Sequence, residues 1–197
     1  MSINVLRLDS SLFASNGQST QLNDLVEQHL RQVHGELNLV RRDLGQNPLP
    51  HLSAEFLQAL GTPADQRTTE QAAAVALADT LIAELQAADL VILAAPMYNF
   101  AAPSVLKTWM DYIARAGTTF KYTEQGPVGM LADKPVYIQT TPGLHQGASS
   151  DTVTPLLTTF FKFIGLQDLR FTYAEGLNMG ALRTENLAKA HADILAA

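Results

Sequence analysis

The sequence predicts a doubly wound α/β fold: a five-stranded parallel sheet of order 2-1-3-4-5 with helices on both faces. Three observations predict it. Strand-like runs recur at Asn4–Leu8, Leu37–Arg41, Leu90–Ala94, Pro135–Thr140 and Asp168–Tyr173. Segments of helical period separate them. The loops that follow the first, third and fourth of these runs are rich in hydroxyls, glycine and aromatics, while the other connections are plain. In this strand order those three loops meet at the switch point, where open sheets bind ligands.

The first run, Asn4–Leu8, follows an amino terminus with no basic stretch, long apolar core or small-residue cleavage site, so a first strand is expected there and not a signal peptide. After the loop Ser10–Thr20, Leu22, Leu25, Val26, His29, Leu30 and Val33 form an apolar stripe at three- and four-residue spacing, with Ser19 as the expected N-cap. The crossover from Asp43 to Ala88 is long and carries Pro48, Pro50 and Pro63; a short helix near 53–60 and a longer one over 69–87 are expected in it. Leu90–Ala94 is a buried strand, and a helix over 102–113 follows with Pro103 in its first turn. Residues 117–129 are too rich in glycine and aromatics for helix and read as an excursion containing a short hairpin. Trp109 is expected in the core or at a subunit interface, and His29, His34, His51 and His191 in water. Without an internal repeat or linker, residues 1–197 read as one domain.

Composition narrows the chemistry. With 197 residues, 47% hydrophobic and 16% charged, the chain can bury a full core, and no stretch approaches the roughly 18 apolar residues of a membrane span. A cytoplasmic location is the expectation. The net charge of −6, without any Lys/Arg cluster, disfavours a nucleic-acid partner. The absence of cysteine excludes disulfides, thiolate metal sites and a cysteine nucleophile, so redox chemistry requires a bound cofactor. No metal site is expected.

The first loop, Ser10–Thr20, ends at a helix amino terminus, whose unpaired N–H groups and dipole suit a phosphate without any lysine. It lacks the Gly-Lys-Ser/Thr ending of a P-loop and the glycine spacing of a dinucleotide fingerprint. The second, Ala95-Pro96-Met97-Tyr98-Asn99-Phe100, suits a flat aromatic ligand better than a sugar or metal. The third, Thr140-Thr141-Pro142-Gly143, is followed by Leu144 and His145.

Met97-Tyr98-Asn99-Phe100, Leu106-Lys107-Thr108-Trp109-Met110-Asp111 and Arg115-Ala116-Gly117-Thr118-Thr119-Phe120-Lys121-Tyr122-Thr123, together with the serine-rich first loop, resemble the FMN-dependent NADH azoreductase family, the flavodoxin-like azo and quinone reductases of bacteria. The resemblance runs over essentially the whole chain, to Phe160, Phe161, Phe163 and Ala174-Glu175-Gly176. It implies an FMN-dependent oxidoreductase that uses NADH or NADPH to reduce quinones and aromatic azo compounds by a two-electron ping-pong exchange. It further implies a homodimer with the site at the subunit interface. By the same resemblance Ser11, Gly17, Gln18 and Ser19 surround the FMN phosphate. Pro96, Met97, Tyr98, Asn99 and Phe100 follow the ribityl chain and one flavin edge, and Thr140, Thr141, Pro142 and Gly143 hold the pyrimidine edge. Phe120, Tyr122 and His145 are candidate substrate-pocket residues; no catalytic side chain is required, because the cofactor carries the hydride.

Two positions depart from the family pattern. Gly17 replaces a serine of a Ser-x-Ser phosphate loop, and Thr140-Thr141-Pro142-Gly143 replaces Ser-Arg-Gly-Gly, which deletes one N–H and one positive charge. An electron carrier of flavodoxin type is the alternative reading; a carrier with an open flavin edge has little use for the long 43–88 crossover and the 116–133 excursion. A flavodoxin-like regulatory protein with a vestigial site is supported only by the two departures, and a serine hydrolase lacks its Gly-x-Ser-x-Gly elbow.

Overall fold

The computed structural model describes residues 2–143 and 150–196. Its main sheet contains β1 (Ile3–Asp9), β2 (Leu37–Asp43), β3 (Leu90–Pro96), β6 (Val136–Thr141) and β7 (Leu169–Tyr173) in the order β2-β1-β3-β6-β7, all neighbours parallel. This is the 2-1-3-4-5 order expected from sequence, with β6 and β7 as its fourth and fifth strands. The excursion after β3 forms the antiparallel hairpin β4 (Phe120–Thr123) and β5 (Gly126–Gly129).

Alternation within the strands divides the core in two. Leu6, Leu8, Val91, Leu93, Val136 and Ile138 face one side. There they meet α2 (Ala54–Gly61), α3 (Thr69–Ala87), α4 (Ser104–Ile113) and α5 (Val153–Ile164). Val5, Leu90 and Ile92 face the other side and meet α1 (Gln18–His34) and α6 (Gly180–Ala196) through Leu22, Val26, Leu30, Ala190 and Ile194. Trp109 is fully buried on α4 and belongs to the first core.

Local chemistry sets the helix ends. Ser53 caps α2 by accepting from the Phe56 N–H at 3.2 Å, and Thr68 with Gln71 forms a capping box on α3. Two sequence expectations are displaced by one or two residues. Ser19 is not the cap of α1: Gly17, extended after a 3₁₀ turn at Ala14–Asn16, offers its carbonyl to Gln21 N–H at 3.0 Å and so starts the helix earlier. Pro103 stands at the N-cap of α4 instead of inside its first turn. Gly165 closes α5 at φ +111°, and its Cα lies against Gly129 so closely that a Cβ on Gly129 would come within 2.4 Å of it. This contact docks the β4–β5 hairpin on the end of α5.

Candidate active site

The loops at the carboxyl ends of β1, β3 and β6 converge on a cavity of about 280 Å³. Ser10 donates from Oγ to the Ala94 carbonyl at 2.6 Å, tying the first loop to β3. The Tyr98 hydroxyl accepts from Leu12 N–H at 3.3 Å and lies 3.2 Å from Ser11 Oγ, while its ring meets Phe13 edge-on at 6.3 Å. The β1 and β3 loops are therefore one hydrogen-bonded unit. Gly17 is packed against Ser11: a Cβ there would lie 2.1 Å from Ser11 Oγ.

Immediately beyond stands the first turn of α1. Ser19 is fully buried, lines the cavity and has no partner for its Oγ among the described residues, and Thr20 Oγ1 and Thr140 Oγ1 are likewise buried without partners among them. A buried hydroxyl without a hydrogen bond costs about 1–3 kcal/mol, so such groups need a reason. Beside unpaired helix amides, a ligand oxygen supplies one for Ser19.

The β3 loop turns back through Tyr98 and Ala101, which exchange backbone hydrogen bonds at 2.9 and 3.0 Å. The two residues between them, Asn99 and Phe100, have φ of +50° and +61°. Asn tolerates the left-handed region, but Phe rarely adopts it, and strain of this kind gathers at functional sites. Thr152 donates from Oγ1 to the Phe100 carbonyl and holds the turn from α5.

Of the residues expected at the site, Ser11, Gly17, Gln18, Ser19, Pro96, Met97, Tyr98, Thr141, Pro142 and Gly143 line the cavity. Asn99 and Phe100 form the turn at its rim, and Thr140 lies on β6 just beneath. Phe120 and Tyr122 sit apart on the hairpin: Phe120 is buried against Phe163 at 4.3 Å, and Tyr122 is 75% exposed. His145 lies outside the described residues. Sequence reasoning missed a fourth wall, Gly176, Leu177, Asn178 and Met179 after β7, which is joined to the third loop by Gly176 N–H donating to the Gly143 carbonyl at 2.6 Å. Phe13 and Asn16 also line the cavity.

None of the described lining residues is Asp, Glu, Lys, Arg or His. The cavity offers amides, hydroxyls and apolar faces, a surface suited to a planar ligand with an anionic tail. A larger groove of about 690 Å³ between α2 and α3 gathers none of the loops after β1, β3 and β6.

Residues 3–197 match the Flavodoxin_2 family model, described as a flavodoxin-like fold. The chain belongs to this family. It is 54% identical over 179 residues to the FMN-dependent NADH:quinone oxidoreductase of Cellvibrio japonicus, covering 89% of each chain. It is 45% identical over 196 residues to the protein of the same name from Alcanivorax borkumensis, covering 98% of this chain and 99% of that one. Among solved structures, the azoreductase from Bacillus anthracis str. Sterne superposes with a TM-score of 0.90 at 25% identity, covering 100% of this chain and 98% of the other.

Proposed function

We infer that this protein is an FMN-dependent NADH:quinone oxidoreductase that also reduces aromatic azo compounds, with FMN held non-covalently at the switch-point cavity. The observation that carries the reading is Ser19: a buried hydroxyl with no partner among the described residues, at a helix amino terminus, on the wall of a cavity whose described lining carries no charged side chain. The relatives named above support it.

The residues present fit FMN. Ser11, Gly17, Gln18 and Ser19 would hold its phosphate, Pro96–Phe100 its ribityl chain and one ring edge, and Thr140–Gly143 its pyrimidine edge. When bound, FMN would supply two-electron redox chemistry between NADH and a quinone or azo acceptor. The chain supplies binding, orientation and exclusion of water. Tyr98 keeps the β1 and β3 loops in register through Ser11 and Leu12, and the strained Asn99–Phe100 turn fixes the rim. With no ionisable group but Tyr98 on the described lining, protons reach the product from water.

Leu12, Phe13, Phe100 and Met179, each at least half exposed, cluster at the loops around the mouth. Apolar exposure of this kind supports a homodimer that completes the substrate pocket, with Phe120 and Tyr122 as wall residues. No described helix is long and apolar enough to cross a membrane, and a cytoplasmic location is part of the proposal. The reading treats residues 1–197 as one FMN-binding domain.

Anaerobic stopped-flow of the FMN-loaded protein with NADH tests the activity. Rapid bleaching of the oxidised-flavin band and its recovery on adding benzoquinone are expected; tight FMN binding without bleaching would place the electron carrier first.

Two substitutions probe the loops. Ser19→Ala is expected to raise the apoprotein's stability by about 1 kcal/mol, because an unsatisfied group disappears, and to weaken FMN roughly ten-fold. Thermal melts and flavin titration check the two opposite signs; a destabilised apoprotein would make Ser19 a structural residue. Pro142→Gly restores an N–H on the cavity wall and is expected to raise the midpoint potential of bound FMN by roughly 20–30 mV, the equivalent of one net hydrogen bond. Spectroelectrochemistry measures it, and an unchanged potential removes the proline from the account.

A further inference from the structure

We propose that Arg183, on α6, is a positioning residue whose charge makes the cavity select a phosphorylated flavin over an unphosphorylated one; the inference rests on the FMN reading above. Arg7, Arg31, Arg41, Arg42, Arg115 and Arg170 each meet a carboxylate within 4 Å. Arg67 donates to the carbonyls of Ala59 and Thr62, at the end of α2. Arg183, like Arg67, meets no carboxylate among the described residues, but its acceptors belong to the cavity. Its Nη2 donates to Gln18 Oε1 at 3.0 Å and its Nη1 to the Leu177 carbonyl at 3.1 Å, and it forms no ion pair among the described residues.

Both acceptors are neutral, and Gln18 and Leu177 both line the cavity. The guanidinium thus bridges the first residue of α1 and the wall after β7, directly behind a lining that contains no cation among the described residues. A guanidinium has five N–H donors, so donors remain after these two bonds. The residue next to Gln18, Ser19, presents the buried unpartnered hydroxyl that marks where a ligand oxygen belongs. A phosphate monoester carries a charge of about −1.5 to −2 at neutral pH, and a cation fixed behind its cradle stabilises it without entering the cavity. The nicotinamide dinucleotide also carries phosphate. Ser19 and Gln18 adjoin at the start of α1, which assigns the charge to the flavin's phosphate.

The experiment titrates apoprotein with FMN and, separately, with riboflavin, which lacks the phosphate, following flavin fluorescence in the absence of NADH. Wild type, Arg183→Gln and Arg183→Lys are compared at about 0.01 M and about 0.5 M salt. Arg183→Gln is expected to weaken FMN roughly ten-fold, leave riboflavin unchanged and flatten the salt dependence of FMN binding, with Arg183→Lys recovering part of the loss. Equal losses for both flavins would mean that Arg183 only holds the two walls together, and would overturn the proposal. So would an unchanged FMN affinity or an unchanged salt dependence. Wild-type protein that binds neither flavin would overturn the FMN reading itself, and this inference with it.

Discussion

Gly17→Ala is expected to lower FMN affinity roughly 100-fold and to destabilise the protein by about 1–3 kcal/mol, the range for forcing a carbon into a packed site. Backbone conformation is not the cause, since Gly17 has φ −69° and ψ 131°, values that any residue adopts. Contact is the cause. The added Cβ would stand 2.1 Å from Ser11 Oγ and 2.6 Å from Ser11 Cβ. Ser11 cannot swing aside freely, because its Oγ accepts from Phe13 N–H at 3.3 Å and meets the Tyr98 hydroxyl at 3.2 Å. Relief of the clash therefore moves both the β1 loop and the β3 loop, and with them the start of α1. The double variant Gly17→Ala with Ser11→Gly removes both clashing atoms and is expected to regain most of the stability while FMN affinity stays low. Urea unfolding and flavin titration read the two quantities. A single variant that melts and binds FMN as the wild type does would contradict the close packing of residues 11 and 17. The departure from a serine at this position is thus a fitted glycine and not merely a lost hydroxyl.

The fold was legible because its signals are local. A continuous apolar run such as Leu90–Ala94 has few alternatives to a buried strand, and a strand-helix alternation fixes the sheet's class. Boundaries were less legible where strands continue into charged residues. β2 extends to Asp43 because Arg41 meets Asp9 and Arg42 meets Glu84, partners far away in sequence. In the site, the loops after β1, β3 and β6 announced themselves by composition. The wall at 176–179 did not, since Leu177, Asn178 and Met179 carry no special pattern and are brought to the cavity by tertiary contacts, among them Gly176 N–H to the Gly143 carbonyl and Arg183 to the Leu177 carbonyl. Gly45 was equally silent: a Cβ there would stand 2.3 Å from the Ser11 carbonyl oxygen, so a glycine after β2 shapes a loop after β1. Arg183 illustrates the same limit, because its two acceptors, at positions 18 and 177, are brought together only by tertiary structure.

Asp9→Ala is expected to cost about 3 kcal/mol of stability, the low end of the range for breaking a buried ion pair from one side. In sequence, Val5-Leu6-Arg7-Leu8-Asp9 alternates as a strand with one wet face does, yet Arg7 is 1% exposed and Asp9 fully buried. Helix α1 closes over them. Asp9 accepts from Arg7 Nε at 3.0 Å, Arg41 Nε at 2.8 Å and Asn23 Nδ2 at 2.8 Å. Burial works against the charge on Arg7, but Asp9, Asp24 and Glu27 outweigh it and hold its pKa above the ordinary value. Alanine at position 9 leaves that cation facing a cavity, with Asp24 and Glu27 as its remaining partners. The damage reaches the site, because Arg7 Nη2 donates to the Thr20 carbonyl at 3.3 Å and Asn23 to the Leu8 carbonyl at 3.1 Å, contacts that seat the first turns of α1 against β1. A loss of about 3 kcal/mol corresponds to a fall in Tm of roughly 6–12 °C for a chain of this size. FMN affinity should fall in parallel, since the proposed phosphate cradle is the end of that helix. Replacing both partners, Arg7→Met with Asp9→Leu, is expected to recover part of the stability, because the buried cation that lost its only fully buried carboxylate is gone. A double variant no more stable than Asp9→Ala alone would mean that the cost lies in the lost hydrogen bonds that hold α1 in place, and not in the weakened compensation of the Arg7 charge.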